Sequence, residues 1–266
     1  MLFLHLNVFD SNFDVNLLTQ SEQINLFRLT QPFSTLGVFL FPPLVVRFFY
    51  NDKLNFKFSE FKISFSTAFS ASILIIMVKP VVAWLAYFNN NIDFSSFGDT
   101  GVALLEASKQ IADKIAMVAK SNSQEELMLN IFIIALLPAI AEEFFFRGFI
   151  QNFLSKLIPN YHISVWLTAI AFGMIHFNIV AIIPLIFLGA ILGYIYHYSQ
   201  NIWVSILAHF INNASLLWFV YKYSLDMQNT NIDSLSIQSI IFSLMMTFGL
   251  LFFLQSVWSY RKASRA

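Results

Sequence analysis

Seven long apolar stretches leave this chain few ways to fold. A helix needs about 20 mostly apolar residues to cross the hydrocarbon core of a bilayer. Runs near that length fall at residues 33–50, 63–88, 127–149, 162–177, 180–197, 202–221 and 237–258. In lipid, only helices and closed barrels satisfy their own backbone groups. Barrel strands would alternate polar and apolar residues, whereas these runs are nearly unbroken. The expected fold is all-α, a polytopic transmembrane helical bundle of about seven spans.

Composition excludes a water-soluble alternative. The chain is 58% hydrophobic and 11% charged, with 32 phenylalanines, where an ordinary soluble domain carries about 25% charge. A soluble fold of this size could not bury so much apolar surface. Fifteen basic residues balance fifteen acidic ones. No strongly basic face is implied, and nucleic acid is not an expected partner. The absence of cysteine excludes disulfides and thiolate metal sites. Residues 1–12 have no basic n-region and meet Asp10 early, so they do not read as a cleaved leader. Residues 1–30 are too polar to supply an eighth span.

Three regions follow. Residues 1–126 form a variable N-terminal membrane region with two spans and an amphipathic segment. Residues 127–221 form a compact set of spans, and residues 222–266 add a final span and a basic tail. Within the first region, residues 100–120 place Leu104, Ile111, Ile115 and Val118 at helical spacing, with Glu106, Lys109, Asp113 and Lys114 mostly elsewhere. That pattern fits a helix on the membrane surface, one against the bundle, or a plain extramembrane helix. With seven spans, Arg47, Lys53, Lys57, Lys62 and Lys156 fall on the same side as Arg261, Lys262 and Arg265. The positive-inside bias then puts the C-terminus in the cytoplasm of a bacterial inner membrane, although Lys109, Lys114, Lys120 and Lys222 lie opposite.

Ionisable groups inside a membrane are expensive and usually functional. Glu142, Glu143 and Arg147 fall near the end of the third run, His176 in the fourth, and His209, Asn212 and Asn213 in the sixth. Residues four apart share a helix face, so Glu143 and Arg147 can pair. Glu142 points roughly 100° away, which leaves it free for acid–base work. A purely structural charge cluster is the competing reading of these three. Phe172 with His176, and His209 with Asn213, are also four apart. Taken singly, each His reads as a hydrogen-bonded structural residue and Asn213 as interhelical glue. Gathered in a bundle interior, they could supply a general base, a proton carrier and oxyanion donors.

The stretch Leu137-Pro138-Ala139-Ile140-Ala141-Glu142-Glu143-Phe144-Phe145-Phe146-Arg147-Gly148 resembles the EExxxR motif of the CAAX protease and bacteriocin-processing family of intramembrane glutamic endopeptidases. Phe172-Gly173-Met174-Ile175-His176 resembles its FxxxH motif, and His209-Phe210-Ile211-Asn212-Asn213 its HxxxN motif. The motifs occur in the family's order, over roughly residues 127–221. The resemblance implies a catalytic set of Glu142, His176, His209 and Asn213, supported by Glu143, Arg147 and Phe172. Glu142 with His176 would activate water, and His209 with Asn213 would stabilise the oxyanion. It implies no cofactor, and a peptide or protein substrate, lipidated in the prenyl-processing members, met within membrane lipid. Two His and a Glu are also acceptable zinc ligands, so zinc is the mechanistic rival, although no HExxH pair is present. A proton-coupled transporter or a non-catalytic bacteriocin-immunity protein are the alternatives of other classes.

Several residues are set aside. His5, His162 and His197 lie near run ends or outside them. Trp84, Trp166, Trp203, Trp218 and Trp258 fit an aromatic belt. Gly189 and Gly193 form a small-xxx-small spacing that close helix packing explains. No obvious Ser-centred triad is present, and Ser164, Ser205 and Ser215 are the serines in the spans that leave one open. Lys79, beside Pro80, either snorkels outward or reaches a partner in the bundle with its amine, and snorkelling is the expectation.

Overall fold

The computed structural model describes residues 18–54, 63–223 and 236–263, and all regular structure among them is helical. The helices are α1 (Gln20–Phe49), α2 (Phe65–Asn90), α3 (Gly98–Ala119), α4 (Gln124–Leu157), α5 (Tyr161–Met174), α6 (Ile179–Ser199), α7 (Ile202–Tyr223) and α8 (Ile237–Tyr260). Six of them, all but α3 and α5, are long and apolar enough to cross a membrane. The protein is an integral membrane protein.

Two spans differ from the expected set. The run at residues 162–177 becomes α5, only 14 residues long, about 21 Å at 1.5 Å per residue. That is short of the roughly 30 Å hydrocarbon core. The first span begins at Gln20 rather than residue 33, because Thr19 and Glu22 form a reciprocal capping box that starts the helix in polar sequence. Residues 1–17, with His5, lie outside the described part. So do Lys57, Lys62 and Arg265, and the side chains of Lys53, Arg261 and Lys262, on which the expected orientation partly rests.

The bundle is apolar on its outside. Phe33, Phe48, Phe65, Phe248 and Phe252 are exposed, while Glu143, Arg147, Asn89 and Asn130 are fully buried. Such an arrangement suits lipid, which solvates apolar side chains and leaves charged ones to find partners in the interior. The main core joins Leu74, Ile75 and Val78 of α2, Leu192 and Ile195 of α6, Val204 and Ala208 of α7, and Leu254 of α8.

Helix α6 lies closest to α5, and its glycines permit that. A Cβ at Gly189 would meet the Ala169 backbone at 3.2 Å, and one at Gly193 would meet Val165 at 3.0 Å. The same glycines leave carbonyls bare for α4: Arg147 Nη2 donates to Gly189 O at 2.7 Å, and Gln151 Nε2 to Gly193 O at 3.0 Å.

Proline shapes two helices. α2 breaks at Val78, just before Pro80, whose ring cannot continue the ladder. Beside this break, the Ser243 hydroxyl of α8 donates to the Met77 carbonyl. In α4, π-helical turns at Ile131–Leu136 and Phe144–Gln151 flank the α-helical piece Leu137–Glu143 that contains Pro138. π-turns widen a helix locally and are frequent at functional sites.

Helix α3 is not a free surface helix along its whole length. Ser108 Oγ accepts from the Ile179 backbone N–H at 2.9 Å. At the other end, Asn130 of α4 donates to Val118 O at 2.8 Å and to Ser121 Oγ at 3.0 Å, and accepts from Arg28 of α1 at 3.0 Å.

The close approach of α5 and α6 is testable. Gly189→Leu should destabilise the protein by about 1–3 kcal/mol, since it overpacks against backbone. Thermal unfolding in detergent should show a lowered midpoint, and an unchanged midpoint would contradict the packing described.

Candidate active site

Each charged side chain in α4 is placed by the turn it occupies. Glu143 and Arg147 are both fully buried and pair at 2.7 Å, Nη1 to Oε1. Oε1 also accepts from His209 Nδ1 at 2.9 Å, and Oε2 accepts from Ser205 Oγ at 2.5 Å. Three donors therefore satisfy this carboxylate. Arg147 in turn divides its guanidinium between Glu143 and the Gly189 carbonyl, with its centre 5.1 Å from the Phe172 ring, a cation–π distance.

Glu142, one residue earlier, has none of these contacts. It retains 9% exposure and faces a cavity of about 260 Å³. His209 lies between the two carboxylates: its Nδ1 binds Glu143 while its Nε2 is 3.9 Å from Glu142 Oε2.

His176 is not on helix α5 as its spacing suggests. α5 ends at Met174, and His176 stands in the following turn, which the left-handed backbone of Phe177 (φ 48°) closes. Its Nδ1 lies 2.7 Å from the Phe172 carbonyl. A helix end leaves carbonyls without an intrahelical donor, and here the imidazole supplies one. With Nδ1 as the donor, Nε2 carries the free lone pair of a neutral ring.

Phe172 is central to the arrangement. Its ring centroid lies 4.8 Å from His176, 5.9 Å from His209 and 5.1 Å from Phe146. On α7, Asn212 Nδ2 donates to Asn213 Oδ1 at 3.1 Å. That occupies the Asn213 oxygen and leaves its own N–H groups available.

Glu142, His176, His209 and Asn213 all line the one cavity, as do Phe172 and Asn212. The remaining walls are mostly apolar: Ile134 and Pro138 of α4, Leu185, Leu188 and Leu192 of α6, and Leu216 and Leu217 of α7. Phe27 and Gln31 of α1, with Ile115, Val118 and Ala119 of α3, complete it. The amphipathic helix thus covers the cavity with its last two turns. Among the described residues, no three His, Asp or Glu side chains are grouped as a metal ion would require.

Some contributors escape the motif reading. Ser205 stands four residues before His209, so a polar stripe of Ser205, His209 and Asn213 at helical spacing carried the signal. Gln31 had no comparable pattern. Lys79 corrects the expected snorkelling. It turns inward, and its Nζ donates to Ser215 Oγ on α7 at 2.6 Å.

The bundle is apolar on its outside and brings Glu142, His176, His209 and Asn213 to one cavity. Residues 124–215 match the family model described as type II CAAX prenyl endopeptidase Rce1-like. Over the stretch that carries the three motifs, the chain is similar to that family. The uncharacterized protein YpbD of Bacillus subtilis (strain 168) is 32% identical over 89 residues, covering 32% of this chain and 42% of the relative. The match therefore spans less than half of that relative's length. No solved structure matches.

Arg147→Met would leave Glu143 buried with its main countercharge gone. Breaking a buried pair in this way costs about 3–5 kcal/mol. Thermal unfolding should show a large loss of stability, largely recovered in Arg147→Met/Glu143→Leu. A single variant as stable as the parent would contradict the pairing.

Proposed function

We propose that this protein is an intramembrane endopeptidase that hydrolyses a peptide bond with a water activated by Glu142 and His176. The observation supporting this most strongly is the convergence of Glu142, His176, His209 and Asn213 on one cavity. At about 260 Å³ it has room for a short peptide segment, and its walls are mostly apolar.

The Glu142 carboxylate would accept a proton from water as the oxygen attacks the scissile carbonyl. His176 Nε2, left free by the Nδ1 contact to Phe172 O, would share that proton and pass it to the departing amine. Positioned acid–base groups contribute about 10²–10⁴-fold to such a step. The carbonyl oxygen becomes an oxyanion in the tetrahedral intermediate. The Asn213 N–H groups, and His209 Nε2–H in its imidazolium form, would donate to it. Glu143 would hold His209 by Nδ1 and, with Arg147, take no direct part. No bond to the enzyme forms in this scheme. The substrate would be a peptide or protein with an apolar segment at the cleavage site, since the walls are apolar.

The test is cleavage of a mixed peptide library by the purified full-length protein in liposomes. Glu142→Gln keeps size and polarity but loses the base, so kcat should fall at least about 10²-fold while unfolding stability is kept. Activity should persist with a chelator present. Cleavage that survives Glu142→Gln would overturn the assignment of the base, and cleavage abolished by chelator would favour zinc. No cleavage by the parent protein would leave the transporter and immunity readings.

A further inference from the structure

An ammonium group within a membrane helix requires a reason, and Lys79 has no role in the scheme above. It stands directly after the break in α2, against the face of α7 that leads to the cavity. Among the described residues no carboxylate lies within ion-pair distance of it. Its hydrogen-bond partner is the neutral Ser215 hydroxyl, at 2.6 Å. An ammonium has no lone pair, so the Ser215 oxygen must accept. The Ser215 proton is then directed to the backbone carbonyl of Asn212, 2.9 Å away. Asn212 itself orients Asn213 through Nδ2 to Oδ1 at 3.1 Å. Asn212 and Asn213 line the cavity, whereas Lys79 and Ser215 do not.

We infer that Lys79 is a positioning residue for the two asparagines. The charge fixes the direction of the Ser215 hydroxyl, which ties down the turn of α7 that carries Asn212 and Asn213. Charge-assisted hydrogen bonds are about twice as strong as neutral ones, so this tie is stronger than a serine alone would make. Its consequence is that Asn213 presents N–H rather than C=O to the cavity. A flipped carboxamide would oppose an oxyanion instead of stabilising it. This inference rests on the reading of Asn213 as an oxyanion donor.

The test uses the full chain in nanodiscs, with asparagine labelled by ¹⁵N and the side-chain amides of residues 212 and 213 assigned from Asn212→Ala and Asn213→Ala. Lys79→Met and Ser215→Ala should shift or broaden both remaining amide signals, while Ser215→Thr, which keeps the hydroxyl, should not. Unmoved signals in Lys79→Met overturn the inference, whether or not the protein cleaves peptides. In the cleavage assay, Lys79→Met should lower kcat about tenfold with KM within about twofold, since removing an oxyanion donor outright costs about 10²–10³. It should add nothing in an Asn213→Ala background, because residues acting through one another are not additive. A loss that adds in full indicates a general structural role and overturns the inference. Unchanged kcat in Lys79→Met, with cleavage still lost in Glu142→Gln, overturns the inference but keeps the endopeptidase reading. If the parent protein cleaves nothing, the endopeptidase reading fails, and the amide signals alone decide the role of Lys79.

Discussion

The buried pair of Glu143 and Arg147 is the contact around which this bundle is organised. Two unit charges removed from water are tolerated only when their remaining hydrogen-bonding capacity is met. All of it but the buried Arg147 Nε, which has no partner, is met by drawing in three other helices. α7 supplies Ser205 and His209, α6 supplies the Gly189 carbonyl, and α5 lays the Phe172 ring against the guanidinium. Each donor has a geometric requirement of its own. Arg147 donates to the carbonyl of Gly189, the residue whose missing side chain lets α6 pack against Ala169 and Phe172 of α5. The charge pair and the small-residue packing therefore depend on each other.

The pair also separates two adjacent glutamates. Helical rotation turns Glu143 into the dry interior and Glu142 toward the cavity. One carboxylate is saturated with donors, and the other keeps lone pairs for chemistry. His209 links them, since the nitrogen held by Glu143 determines how the opposite nitrogen faces Glu142. The proposed catalytic arrangement needs supporting groups that lock its side chains, and here the supporting groups are themselves charged.

Much of this was legible in sequence because helical periodicity is regular. Spacing of four residues placed Glu143 with Arg147 and His209 with Asn213, and the apolar runs located most of the spans. The misses have physical causes. The helix at Tyr161–Met174 is short because the chain turns at Phe177 in a left-handed conformation that hydropathy does not register. That turn places His176 off the helix, yet still beside Phe172, whose carbonyl its ring reaches. The start of α1 in polar sequence depends on a capping box, a signal present at Thr19 and Glu22 but outweighed by low hydropathy. Lys79 turned inward because its partner, Ser215, lies 136 residues away. Contacts so distant in sequence leave no periodic trace, and the same holds for the cover that Ile115 and Val118 form over the cavity.

The central claim is that Glu142 and His176 face the reacting carbon from one side while His209 and Asn213 face its oxygen. A crystal structure of the full-length protein with a peptidyl phosphinate, whose tetrahedral phosphorus mimics the intermediate, tests it most directly. The account predicts one phosphinate oxygen within hydrogen-bond distance of Glu142 and His176, the other within reach of His209 and Asn213, and Glu143 still on Arg147. A phosphinate held by Glu143, or bound away from this cavity, would contradict it.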